Sequence, residues 1–274
     1  MTIAVAALWP WDVSQIAELW EWERLQGLNP PFPPTPRAGI LMSDSRWTYS
    51  PGKTHDWGSK LFRLTHDAGA VYSGHVPSGE DALNRLGKWF HKGKVRSPAK
   101  AVTAKLLRQT YGAAKSSDPL RVFVASCGPT GPAQLLYFDS DHRFVPLSLY
   151  GVRVLARPDT EHAFRTGLSE AMKEIMRGSA DITLAKSALC LAIALQQYVI
   201  GPGIDDSVGG KIQCAIVDQR GFHRMGLSRG YPDDTKVISA AKDDMTLYRP
   251  NRESRRDRRF SRALQAHDAS NQSG

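Results

Sequence analysis

Hydrophobic and polar positions along this chain alternate between short dry runs and paired amphipathic stretches. Residues 2–8 (TIAVAAL) are apolar or small throughout and predict a buried strand. From Val13, the positions Ile16, Leu19, Trp20 and Leu25 recur on one face and predict a helix. The run NPPFPPTP then reads as an extended proline spacer. Residues 38–45 (AGILMSDS), 60–64 (KLFRL) and 70–73 (AVYS) predict three more strands. Ser78, with Asp81 three residues on, has capping-box spacing and predicts a helix start there. Ser97 followed by Pro98 predicts the start of a second helix. RVFVASC, QLLYFDS and GVRVLA read as strands separated by turn residues. TEHAFRTGLSEAMKEIM and ITLAKSALCLAIALQQYVI read as a second helix pair, and KIQCAIVD and FHRMGL as closing strands.

Strands in blocks and helices in pairs argue for antiparallel sheets with helices outside them, not for alternating βα units. Two facing sheets, each covered by a helix pair, would use every apolar face. The expected fold is therefore an α+β, four-layer αββα sandwich in one domain, spanning residues 1–248 with a Trp- and Pro-rich insertion at 9–37. Residues 249–274 form a basic tail.

The chain has 274 residues and is about two-fifths apolar, enough for a substantial core. No run reaches the roughly 18 apolar residues of a membrane helix, and the N-terminus lacks a basic region preceding an apolar one, so neither a membrane span nor a secretory signal is expected. Three single cysteines without CxxC spacing point to core residues of a cytoplasmic protein. Net charge is +9, of which the tail supplies seven arginines against three acids. That tail reads as a solvated terminus rather than a nucleic-acid arm. There is no GxxxxGK[ST], HExxH or GxSxG, so no metal, nucleotide or other cofactor is expected.

The candidate chemistry begins at the second residue. Thr2 follows Met1, whose removal would leave a threonine with a hydroxyl nucleophile and its own base, an α-amine with an ordinary pKa of about 8. Such a nucleophile needs a nearby cation, an acid to hold that cation, and backbone donors for an oxyanion. The dry strand AGILM ends on Asp44-Ser45-Arg46; Lys60 opens the next strand, and Gly74 closes the one after. These could supply the three needs, with Arg46 bracing the neighbouring loop.

Thr2, the D-S-R at 44–46, Lys60 sixteen residues after Asp44 and Gly74 fourteen after Lys60 resemble the proteasome β-subunits and their bacterial relatives, threonine peptidases of the N-terminal-nucleophile hydrolase superfamily. DDSVGGKIQCAIVD fits the same pattern, with Asp205 four residues before the pair Gly209-Gly210. The resemblance covers roughly residues 2–8 and 38–225. It implies the αββα fold, Thr2 as nucleophile, Lys60 as the cation that activates the hydroxyl, and Asp44 as the group that holds Lys60. It further implies a Gly74 N–H for the oxyanion and Asp205 to orient the N-terminus. As partners it implies copies of this chain in a homo-oligomeric ring, a peptide or unfolded protein as substrate, and a separate ATPase unfoldase.

The chain departs from that pattern at three places. Val208 stands where the family has a serine before Gly-Gly, and Ser207 is one residue away. ARPDTEHAF replaces a Gly-Ser-Gly, with Pro158 or Asp159 at the serine position and Thr160 as a substitute. The first hairpin carries 29 extra residues with four of the seven tryptophans. Three activities stay open on this reading: a ring-forming peptidase, a ring-forming subunit without catalysis, and an amidase acting on a small molecule.

Overall fold

The computed structural model describes residues 3–10, 35–50, 53–56, 58–74, 76–93, 98, 100–114, 119–176, 183–227 and 248–250. The strands are β1 (Ala4–Trp9), β2 (Ala38–Asp44), β3 (Trp47–Ser50), β4 (Lys53–His55), β5 (Leu61–Arg63), β6 (Ala68–Gly74), β7 (Leu120–Cys127), β8 (Ala133–Asp139), β9 (Leu147–Leu149), β10 (Val152–Leu155), β11 (Ile212–Asp218), β12 (Gly221–Leu227) and β13 (Tyr248–Pro250). The helices are α1 (Val76–Lys92), α2 (Lys100–Ala114), α3 (Pro158–Met176) and α4 (Leu184–Leu195), the last running on into a π-helical turn at Gln196–Ile200.

Two larger sheets, antiparallel throughout, hold most of these strands. One runs β10-β1-β2-β11-β12-β13 and the other β5-β6-β7-β8-β9, while β3 and β4 form a separate hairpin. β1 and β2 are dry on both faces because both faces are covered. Ile3, Val5, Ile40, Met42, Cys214 and Ile216 pack with α3 and α4. Ala4, Ala6, Leu41, Ala215 and Val217 face Val71, Phe123, Ala125 and Leu135 of the second sheet. The far face of that sheet, with Tyr72, Val122, Val124 and Phe138, packs on α1 and α2. Small residues let the sheets close on each other: a Cβ on Gly39 would stand 2.8 Å from the Ala125 Cβ. The molecule is thus a mixed α+β protein with two large antiparallel sheets and, among the described residues, four helices. The stacking of helix pair, sheet, sheet and helix pair is compatible with the expected sandwich.

Helix starts differ from the sequence expectation. α1 begins at Val76, two residues before Ser78. Ser78 is 1% exposed inside the first turn, and Asp81 pairs with Arg85 one turn on rather than with a cap. Gly79, in the same turn, lies against the Tyr72 ring, where a Cβ would stand 2.3 Å from it. α4 has its cap at Thr183, whose hydroxyl accepts the Lys186 N–H at 3.2 Å. β3, β4 and β9 were not expected from the hydrophobic pattern, because they are short and half polar. Trp9, assigned to the insertion, is the last residue of β1 and pairs with Ala38. The predicted helix from Val13, the spacer up to Pro34, the cap at Ser97 and the tail beyond Pro250 lie outside the described residues.

Candidate functional site

β2 runs dry to its last residue because it lies between β1 and β11, and there it ends on a carboxylate. The Asp44 and Lys60 side chains are both 0% exposed, with Lys60 Nζ 2.7 Å from Asp44 Oδ1. The other oxygen, Oδ2, accepts the Gly209 N–H at 3.0 Å and the Arg46 N–H at 3.1 Å. The pair joins the two sheets, since Asp44 closes β2 and Lys60 leads into β5. Burial pushes the Asp44 carboxyl above the usual carboxylate range, against Lys60 and the two N–H groups. Burial likewise pushes the Lys60 ammonium below the usual lysine range, against the attraction of Asp44. Among the described residues, Asp44 is the only hydrogen-bond partner of that ammonium, which has three protons to donate.

Arg46 and Ser45 bind the surrounding loops to this strand end. The Arg46 guanidinium bonds Asp56 through Nε at 2.7 Å and Nη2 at 3.2 Å, and reaches the Asp206 and Val208 carbonyls through Nη1 at 3.3 and 3.4 Å. Ser45 Oγ donates to the Asp56 carbonyl at 2.6 Å and accepts the Lys211 N–H at 2.8 Å. Arg46 therefore braces neighbouring loops, as the sequence suggested. A Cβ on Gly209 would stand 2.4 Å from Arg46 Cζ, so a larger residue there would displace the guanidinium.

Asp205 sits in the same loop, 6% exposed. Its Oδ1 accepts the Ser207 hydroxyl at 2.5 Å and the Ser207 N–H at 2.9 Å. Its Oδ2 accepts the Thr160 hydroxyl at 3.4 Å and stands 3.7 Å from Arg157 Nε. Burial alone would raise this carboxyl, but the two Ser207 bonds and the Arg157 charge outweigh it and hold the group below its ordinary value. Ser207 and Thr160 thus gather on one carboxylate, whereas Val208 turns into the apolar cluster beneath the first sheet.

Gly74 ends β6 opposite Leu120, with φ +117. A Cβ there would stand 1.9 Å from the Pro119 carbonyl oxygen, so close backbone approach by itself demands glycine. The Tyr72 N–H donates to the Lys60 carbonyl at 3.4 Å, so the strand register puts Gly74 at the Lys60 end of the second sheet.

Thr2 lies outside the described residues. Its chain neighbour Ile3 is 0% exposed, and the Ile3 carbonyl accepts the Ser43 hydroxyl at 2.7 Å, one residue before Asp44. The structure therefore brings Asp44, Lys60, the Gly209 loop and the start of β1 to one corner.

Two positioning groups escaped the sequence reading. Gln213 accepts the Lys60 backbone N–H at 3.0 Å and donates to the Gly58 carbonyl, fixing the segment that carries Lys60. Its signal was a polar residue breaking the run in KIQCAIVD. Asp56, the anchor of Arg46, gave no signal, because the β3–β4 hairpin before it was not foreseen. Among the described residues no cluster of three or more His, Cys, Asp or Glu could hold a metal ion, and no helix is long and apolar enough to cross a membrane. No family model matches the chain, and no curated protein matches it.

Proposed function

We propose that this chain is a threonine peptidase or amidase of the N-terminal-nucleophile type, with the αββα fold of that superfamily. Processing exposes Thr2 as the N-terminal residue. Its hydroxyl oxygen attacks a peptide carbonyl while its α-amine takes the hydroxyl proton. The Lys60 charge favours the alkoxide, Asp44 holds Lys60, and the Gly74 N–H donates to the oxyanion. The amine then returns the proton to the leaving nitrogen as the C–N bond breaks, and water hydrolyses the resulting ester. Asp205, with Ser207 and Thr160 on its oxygens, orients the N-terminus in this scheme. These two hydroxyls take over the work of the family's serines.

The observation that carries this reading is a fully buried lysine with one described partner, beside the first strand of the chain. A buried ammonium with protons to spare is costly unless something else accepts them, and residue 2 is one peptide bond from Ile3. Copies of the chain would form a cytoplasmic ring that confines the site, fed by a separate ATPase unfoldase. Three buried free cysteines, Cys127, Cys190 and Cys214, suit a reducing compartment. The test pairs N-terminal sequencing with turnover of fluorogenic peptides. A mature chain beginning at Thr2, active as wild type and inactive as Thr2→Ala, is the expected result; equal rates in both sink the proposal.

A second reading is favoured by Val208, which is 3% exposed and apolar where the family pattern has a hydroxyl. It is a subunit that keeps the fold and assembles without catalysis. A chain that assembles but retains residue 1 and turns over no peptide would support it.

A further inference from the structure

The charge of this chain is unevenly placed. Between Ala82 and Ser117 there are nine Lys or Arg residues and no Asp or Glu. The whole formal charge is +9; the tail contributes +4 and this stretch +9, so the remainder of the chain is net negative. Six of the nine lie on the α1–α2 helix pair. Both helices pack one side on the second sheet through Leu83, Leu86, Phe90, Ala104 and Leu107. Their other sides are outward stripes. On α1, Arg85, Lys88, Trp89 and Lys92 stand at i, i+3, i+4 and i+7, all exposed. On α2, Lys105 and Arg108 stand likewise exposed at i and i+3. Arg85 is paired with Asp81. Among the described residues no carboxylate pairs with Lys88, Lys92, Lys105 or Arg108. Trp89 is 44% exposed, and the only large apolar side chain so exposed on any described helix. Its ring stands edge-on to buried Phe90, with centroids 5.2 Å apart, which anchors it while leaving a face to solvent.

We propose that the outer face of the α1–α2 pair binds single-stranded nucleic acid, with Trp89 as a stacking platform and Lys88, Lys92, Lys105 and Arg108 on the phosphates. Exposed cations on the helix that carries one anchored aromatic ring, and on the helix beside it, are what a strand of bases and phosphates needs. An acidic peptide would use the cations and leave the ring idle. An anionic membrane would call for several exposed apolar side chains, and the pair offers one.

The full chain is titrated against a short fluorescein-labelled single-stranded RNA, followed by anisotropy across a salt series. Four phosphate contacts predict affinity falling by about 50-fold between roughly 50 and 200 mM salt. Trp89→Ala should weaken binding by about 5- to 150-fold. Lys88→Gln, Lys92→Gln and Arg108→Gln together should flatten the logarithmic salt slope by about 2. All four sites are exposed, so melting curves should match the wild type. The proposal is overturned if the RNA is not bound, or if the variants bind like the wild type, which would assign binding to the arginine-rich tail. It is also overturned if Trp89→Ala is neutral while poly-glutamate or anionic vesicles compete as well as RNA does.

Discussion

Replacing Lys60 with methionine keeps the volume of the stem and removes the charge. Asp44 would then remain 0% exposed with only the Gly209 and Arg46 N–H groups. Breaking a buried pair from one side costs about 3–5 kcal/mol, and the two surviving bonds place this substitution near 3. Asp44→Ala is worse. It strips the ammonium of its described partner and leaves both N–H groups unmet, each at about 1–3 kcal/mol, so it should reach 5 or more. For a chain of this size about 1 kcal/mol moves the melting temperature by roughly 2–4 °C. Lys60→Met should therefore melt about 6–12 °C low and Asp44→Ala lower still. The double variant Asp44→Ala/Lys60→Met should lose less than the two single losses summed, because neither charge is stranded. Differential scanning calorimetry on the four proteins reads the cycle directly. Two single variants melting within a degree of wild type, or a double variant worse than the sum of the singles, would show that the pair does not organise this corner.

Other substitutions probe the remaining contacts. Gly74→Ala drives a Cβ into the Pro119 carbonyl and should destabilise by more than about 2 kcal/mol in a thermal melt; wild-type stability would contradict the strand geometry. Ser207→Ala removes one of the two Ser207 bonds that hold Asp205 ionised, the hydroxyl, and leaves the N–H, so the acid limb of any activity profile should move to higher pH. An unmoved limb would separate Asp205 from the reaction. Asp218 is held down to about 2, against the rise that burial alone would cause, by His223 and Arg220. Its folded value lies below its unfolded one, so its stabilisation, about 2 kcal/mol, is complete above pH 4 and fades as pH falls toward 2. Asp218→Asn should flatten the acid-unfolding curve over that window, and an unchanged curve would refute the assignment. Gly209→Ala should displace the Arg46 guanidinium and loosen Asp56, seen as faster amide exchange in the β3–β4 hairpin. Unaltered protection there would place the brace elsewhere.

Much of this architecture could be read from periodicity. β1 and β2 are dry over nearly whole strand lengths, and β7 and β11 over most of theirs, and their spacing from two helix pairs implied layers. The Asp44–Lys60 pair was legible because a charged residue ending an apolar strand needs a partner, and Lys60 opened the next predicted strand. What stayed hidden was whatever depends on side chains meeting across loops. Ser78 looked like a cap, but the helix already starts at Val76, and Ser78 is buried inside its first turn. Ser207 and Thr160 are 47 residues apart, and only the fold shows that both serve Asp205. The basic face of α1 and α2 was masked by averaging, since acids elsewhere dilute it in the chain-wide balance.

The two sheets differ in how far apart in the chain their neighbours lie. In the five-stranded sheet every strand lies beside the next in sequence. In the other, β1 must wait between β2 and β10 for a strand about 150 residues downstream, and β2 waits for β11. Asp44 receives the Gly209 N–H, and Lys60 receives Gln213, only when that late segment arrives. A ribosome-bound chain short of residue 213 would hold a meander without these contacts. The buried Asp44–Lys60 corner thereby gains its remaining hydrogen bonds only after most of the chain has been made.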